Sequence, residues 1–228
     1  MRTHNRWQAS DSIHCPRCRL HTDLCACALL VPMPTRTQVV LVAHVAEMRK
    51  PTNTGRLAIA CLEGAQLIER GHRDGGLTAI PSKVNRQPLL LYPVPDAVPL
   101  DAWKAAQPPE AHPVTLVVPD GTWRQAKRVR YRIPGLEKAP AVCLPAGLSS
   151  HYRLRQTGPS QRLATLEAIA HALRILGEPE TAARLMHIFR VIVERALWSN
   201  GRLPAGEVTG GIPTGASQHG PRRTSRSP

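Results

Sequence analysis

Aromatic side chains are scarce: one Phe, three Tyr and four Trp in 228 residues. So few rings argue against a sheet that reads RNA by stacking bases on paired aromatics. Acidic residues are also few. Sixteen Asp and Glu stand against thirty Lys and Arg, giving a formal charge of +14 and a pI near 10.6. The surplus is mostly Arg, whose forked guanidinium suits phosphate, so the expected partner is a nucleic acid. Long apolar runs are missing. Stretches such as Val39–Val45 fall far short of the roughly 20 residues a membrane span needs, and no membrane partner is expected. The first fifteen residues have no apolar core of the kind a secretory signal carries, which makes the cytoplasm the expected compartment. In that compartment six cysteines point to a metal or to buried thiols, not to disulfides. Neither a Walker loop nor a dinucleotide glycine fingerprint is present, and Gly75-Gly76 fits neither.

What is there divides into a Cys-rich head (1–34), an α/β body with two following helices (35–203), and a tail (204–228). The tail is rich in Gly, Pro, Ser and Arg and low in large apolar residues, so disorder is expected, with an inert terminus or weak RNA contact as its role. In the body, Gln38–Ala43 is an unbroken β-branched run of the kind buried in parallel sheets. Apolar residues at helical spacing predict a helix over Thr54–Arg70, stopped by Gly71. Leu89–Tyr92, Val114–Val118 and Ala141–Leu144 read as strands, Thr122–Arg132 as one basic helix, and Leu163–Leu176 and Glu180–Trp198 as amphipathic helices. Strands alternating with helices predict a mostly parallel sheet, whose ligands lie beyond the carboxyl ends of the strands.

Chemistry-bearing residues gather at those ends. The head holds Cys15-Pro-Arg-Cys18 and Cys25-Ala-Cys27. Two close pairs across a short loop supply four thiolates for a structural, tetrahedral Zn²⁺, replacing the core that so small a segment lacks. Unmetallated thiols, or an iron–sulfur or redox role, are the alternatives. Cys61 and Cys143 read as small buried apolar residues. The first strand runs into His44, Glu47, Arg49, Lys50, Asn53, Thr54, Gly55 and Arg56; Asn53 or Thr54 is a fitting helix cap, and the cations suit an anion site. A second group, Asp120-Gly121-Thr122-Trp123, follows the Val114–Val118 strand. There a carboxylate can orient a donor or take a proton. Trp123 covers a bound ring or belongs to the core. A third group is Ser149-Ser150-His151-Tyr152-Arg153-Leu154-Arg155, followed by Thr165-Leu166-Glu167-Ala168. Glu167 lies on the surface or meets an arginine. Spacing alone shows no Ser/His/Asp nucleophile set, although Asp120, His44 and Ser150 leave one open.

Taken in order over roughly residues 15–195, these motifs resemble the DTW-domain family. The carrying residues are Cys15-x2-Cys18, Cys25-x-Cys27, His44-x2-Glu47, Asn53-Thr54-Gly55-Arg56, Leu91-Tyr92-Pro93, Asp120-Gly121-Thr122-Trp123, Ser150-x-Tyr152-x-Leu154-Arg155 and Thr165-Leu166-Glu167-Ala168. Val45 departs from the pattern, which usually has Pro after the His. The resemblance implies a SPOUT-like α/β fold with a C-terminal trefoil knot. It also implies a tRNA-uridine aminocarboxypropyltransferase, which moves the 3-amino-3-carboxypropyl group of S-adenosylmethionine onto uridine N3, typically uridine 47 in bacterial tRNA, and releases methylthioadenosine. On that reading Asp120, Thr122 and Trp123 are catalytic, with Asp120 taking or orienting the N3 proton. His44, Asn53, Thr54, Gly55, Arg56, Ser150, Tyr152 and Arg155 surround the co-substrate. Arg56 or Arg155 would pair with its carboxylate, and Trp123 and Tyr152 would enclose the adenine or the target base. The partners are tRNA and S-adenosylmethionine, and a homodimer is in keeping with SPOUT-like relatives. A SPOUT-like RNA methyltransferase and a non-catalytic, zinc-stabilised RNA-binding module are the competing readings.

Overall fold

The computed structural model describes residues 13–71, 79–80, 85–154 and 163–220. It forms two compact units: Leu30–Phe189, and a second made of Met1–Leu29 with Arg190–Pro228.

The larger unit is built on six parallel strands: β1 (Gln38–His44), β2 (Gln66–Arg70), β3 (Gln87–Leu91), β4 (Val98–Pro99), β5 (Val114–Asp120) and β6 (Ala141–Cys143). Their order across the sheet is β2-β1-β5-β3-β6-β4. Helices α1 (Val45–Met48), α2 (Gly55–Cys61), α3 (Leu100–Ala105), α4 (Trp123–Lys127), α5 (Val129–Arg132), α6 (Thr165–Ile175) and α7 (Pro179–Ser199) follow in chain order, α7 continuing into the second unit. The mostly parallel α/β sheet expected from the sequence is what forms. The trefoil knot implied by the resemblance would involve the stretch after β6, of which residues 155–162 lie outside the described residues.

The central strands are apolar on both faces, as covered strands must be. On β1, Val40 and Val42 join Val117, Val129, Ile133 and Leu136 in one fully packed cluster. Leu41, on the opposite face, sits beneath Gly55 at the start of α2. Each such buried aliphatic side chain contributes about 1.5–3 kcal/mol relative to an exposed one. After β1 the chain turns to β2 on one side; after β5 it goes to β6 on the other. Because β1 and β5 are neighbours, paired Ala43 to Asp120, the connections part between them and open a crevice at their carboxyl ends.

Three sequence expectations are corrected here. The helix expected over 54–70 ends at Cys61, and Gln66–Arg70 is a strand. Met33 causes this: its N–H donates to the Cys61 carbonyl at 2.8 Å and its own carbonyl accepts from Glu63 N–H at 2.9 Å. That bridge pulls Leu62 into extended backbone, and Gly64, at φ +67°, makes the turn into β2. The single basic helix over 122–132 is two short ones that meet at Arg128. The tail expected to be disordered from 204 is folded through 220, and it belongs with the head. A 3-10 turn at Ala205–Glu207, buried Val208 and a Thr209 N–H bond to Glu194 begin it. Asp23 then accepts from Ser217 N–H at 3.0 Å and pairs with His219 at 2.9 Å. Gly210, Gly211, Gly215 and Gly220 all hold positive φ. The glycines therefore encode turns, and polar anchors replace the apolar residues whose scarcity reads as disorder. Residues 221–228 lie outside the described residues.

Candidate active site

At the switch point the larger unit has an open cavity of about 700 Å³. Its walls include Leu91, Tyr92, Pro93, Leu144 and Leu163, with Asp120, Thr122, Thr165, Glu47 and Lys50 supplying polar atoms. Its size falls within the range of small-molecule and cofactor sites. Asp120, the last residue of β5, is the fixed polar point. Its Oδ2 accepts from the Asn53 amide at 2.6 Å, and its Oδ1 accepts from the Thr165 hydroxyl at 2.8 Å. Two neutral donors from two different helix starts thus hold one carboxylate. Each oxygen has two lone pairs, so the group keeps acceptor capacity toward the cavity.

The residues around Asp120 are positioned by local helix-end chemistry. Asn53 is nearly buried and works at both ends of its amide: Oδ1 accepts from Arg56 N–H at 3.1 Å and caps α2, while Nδ2 holds Asp120. Thr54 Oγ1 accepts from Leu166 N–H at 3.3 Å, so it caps α6 instead of its own helix. Gly55 is required by contact. A Cβ there would lie 2.9 Å from Leu41 Cδ2 and 3.0 Å from Asp120 Oδ2. Thr122 forms a reciprocal capping box with Gln125, its hydroxyl accepting from Gln125 N–H while Gln125 Oε1 accepts from Thr122 N–H.

A second hub sits behind this one. Glu167 is completely buried. Its Oε2 accepts from Ser150 Oγ–H and from Ala164 N–H, each at 2.7 Å, and its Oε1 accepts from His151 N–H at 2.7 Å. It is neither on the surface nor, in these contacts, on an arginine. Ser150 spends its proton on Glu167 and its lone pair on Tyr152 N–H, which removes it from any nucleophile set with His44. The Tyr152 ring is buried, 5.7 Å from that of Phe189, and its hydroxyl donates to the Thr52 carbonyl at 2.9 Å. It braces the 52–54 turn that presents Asn53.

In the smaller unit the four cysteines converge. All four Sγ atoms lie within 4.8 Å of one another, with Cys15 to Cys27 at 3.3 Å and Cys18 to Cys25 at 3.8 Å. A tetrahedron with Zn–S bonds of about 2.3 Å has edges of about 3.8 Å, so the donor set fits that ion. The knuckle is closed by Cys15 N–H to the Leu20 carbonyl and Arg19 N–H to the Cys15 carbonyl, with Arg19 at φ 64°. Burial opposes ionisation of Cys15, yet N–H groups of Cys18 and Arg17 and the thiols of Cys27 and Cys25 bring its pKa down to about 6. Burial pushes Cys18 and Cys27 up. Arg195 Nη1 donates to the Leu24 and Cys25 carbonyls, tying α7 to the knuckle.

Residues 12–197 match the DTW domain. The chain belongs to the DTW-domain family. Two relatives named tRNA-uridine aminocarboxypropyltransferase 2 are each 32% identical: that of Drosophila melanogaster over 76% of this chain and 72% of its own length, and that of Macaca fascicularis over 71% and 56%. The chain thus spans little more than half of the macaque protein. The solved SAM-dependent rRNA:acp-transferase Tsr3 from Vulcanisaeta distributa aligns with 76% of this chain and 86% of its own, at 20% identity and a TM-score of 0.43.

Within this DTW domain the sequence-predicted residues fall into three places. Asp120 and Thr122 line the large cavity. Asn53, Thr54, Gly55, Ser150 and Tyr152 form the support behind it. His44 is elsewhere, on a smaller cavity described below. Arg56 is not among the described residues lining the large cavity; Lys50, paired with Glu47 at 2.6 Å, is the cation among them. Trp123 opens α4, and its side chain and Arg155 lie outside what the structure describes. Cys61 is buried as expected, but Cys143 is only half-buried and lines the cavity. Sequence reasoning missed Thr165 as a partner of Asp120. The signal was its place one residue inside a helix that opens at the sheet's carboxyl edge.

Proposed function

We propose that this DTW-domain protein is a tRNA-uridine aminocarboxypropyltransferase, moving the 3-amino-3-carboxypropyl group of S-adenosylmethionine to N3 of a tRNA uridine, with uridine 47 as the acceptor. The observation that carries the reading is Asp120, held by Asn53 and Thr165 at the rim of a cavity large enough for a nucleoside co-substrate, in a chain whose relatives bear that name. S-adenosylmethionine supplies an electrophilic carbon next to its sulfonium. Asp120 accepts the N3 proton as the new N–C bond forms; the C–S bond breaks, and its electron pair leaves with methylthioadenosine. Apolar Leu91, Leu144 and Leu163 exclude water from the adenosyl part, and Lys50 is the cation for the amino-acid carboxylate. Choice of this carbon over the methyl is a matter of position, which Asn53 and Thr165 enforce on Asp120. Cys15, Cys18, Cys25 and Cys27 would hold Zn²⁺, which would supply folding energy to the head.

The test is the identity of the small product. Purified protein, S-adenosylmethionine and an unmodified tRNA transcript should release methylthioadenosine, resolved by chromatography. Release of S-adenosylhomocysteine instead would make the enzyme a methyltransferase.

A further inference from the structure

A second, smaller cavity of about 120 Å³ also borders α4. Ala126 faces the large cavity while Gln125 and Arg128 face the small one, so a single short helix is the shared wall. Arg70, Arg128, Arg132 and His44 line it. Arg70 ends β2 and His44 ends β1, so both come from the carboxyl edge that also presents Asp120. Gly71 lets them meet: at φ +89° it carries no side chain, and a Cβ there would lie 2.4 Å from His44 Nε2. His44 Nδ1 accepts from Ala46 N–H at 3.1 Å, so the neutral ring carries its proton on Nε2.

No carboxylate pairs with any of the three arginines among the described residues. Burial and the neighbouring charge of Arg132 both lower the pKa of Arg70. Arg70 is half-buried at the base of the hollow and feels the charge of Arg132, while Arg128 and Arg132 are exposed at its rim. Guanidinium forks and an imidazole N–H are donors only, so the complementary ligand is an anion with several acceptor oxygens.

We infer that the hollow between His44, Arg70, Arg128 and Arg132 is a phosphate site, and that its occupant is a backbone phosphate of the RNA whose uridine is presented to Asp120. This rests on the transferase reading for the identity of the RNA. With α4 as the common wall, a base in the large cavity and a phosphate of the same strand in the small one grip the nucleotide from both sides.

The experiment measures the affinity of an unmodified tRNA transcript at several salt concentrations, for the wild type, for Arg70→Gln/Arg132→Gln and for Arg132→Gln alone. The double variant should bind at least tenfold more weakly near 0.1 M salt. Its log–log salt slope should be shallower by about 0.7–0.9 for one lost phosphate contact. S-adenosylmethionine affinity should hold, and the melting temperature should stay or rise, because like charges have been parted. Should the double variant fail to fold, the exposed Arg132→Gln carries the test, with the same direction and a smaller loss. Unchanged tRNA affinity and slope would overturn the inference. So would a wild-type melting temperature raised by millimolar inorganic phosphate, abolished in the variant, with the tRNA slope intact: the hollow would then hold free phosphate. The two readings separate cleanly. Arginine-dependent tRNA binding without product overturns the transferase and keeps the site; product with an unchanged slope does the reverse.

Discussion

Asp120 illustrates how one side chain is fixed by groups that no sequence spacing links. Its place after an apolar strand and before a helix is legible, because strand ends in parallel sheets are where ligands bind. Its partners are less so. Asn53 reads as a cap and is one; that the same amide also holds a carboxylate 67 positions away depends on β1 and β5 being neighbours. Glu167 is the clearest case of a residue the sequence leaves open. Two of its three donors are backbone N–H groups, which every residue owns, so its burial could not be read from neighbouring side chains. Two outcomes follow at this scale. On the proposed mechanism Asp120→Asn keeps the shape but removes the base, and turnover should fall by about 10²–10⁴-fold while S-adenosylmethionine binding, measured by calorimetry, changes little. Equal activity in the variant would take the proton from Asp120. Glu167→Ala strands two N–H groups and a hydroxyl, and should cost about 3 kcal/mol or more in urea unfolding.

Among elements, the contest between local periodicity and tertiary pairing decides the outcome. Leu57, Ala58 and Cys61 do form a helical face, but the chain leaves the helix at Leu62, which Met33 bridges, and Gln66–Arg70 joins the sheet because Val40–His44 offers β2 a parallel edge. Periodicity cannot register a partner thirty residues away. β1, β3, β5 and β6 are legible, since strands buried on both faces are apolar throughout; two-residue β4 is too short to leave a pattern. The Tyr152 hydroxyl bond to the Thr52 carbonyl braces the 52–54 turn. Tyr152→Phe should lower stability by about 1 kcal/mol. It should also slow turnover more than it weakens co-substrate binding, because Asn53 loses its backing. Loss of binding with full turnover would return Tyr152 to the ligand-contacting residues.

At the scale of the whole molecule, head and tail form one unit from opposite ends of the chain. Cysteine spacing makes the four-cysteine cluster legible; composition hides the folded tail, because its order rests on turns and on Asp23 more than on apolar burial. Removing residues 204–228 should therefore lower the melting temperature and speed zinc loss to a chelator, and a silent truncation would mean the tail is dispensable. Chelation itself should release one zinc per chain and unfold this unit. No helix among the described residues is long and apolar enough to cross a membrane. On the proposed function, a chain of +14 charge should lose tRNA affinity steeply with added salt.

The central claim is tested most directly by mass spectrometry of nucleosides from an unmodified tRNA transcript incubated with the purified protein and S-adenosylmethionine. The account predicts a new uridine heavier by one 3-amino-3-carboxypropyl group, present with the wild type and absent with Asp120→Asn. A methylated nucleoside, or an unaltered tRNA from zinc-loaded protein that binds both substrates, would contradict it.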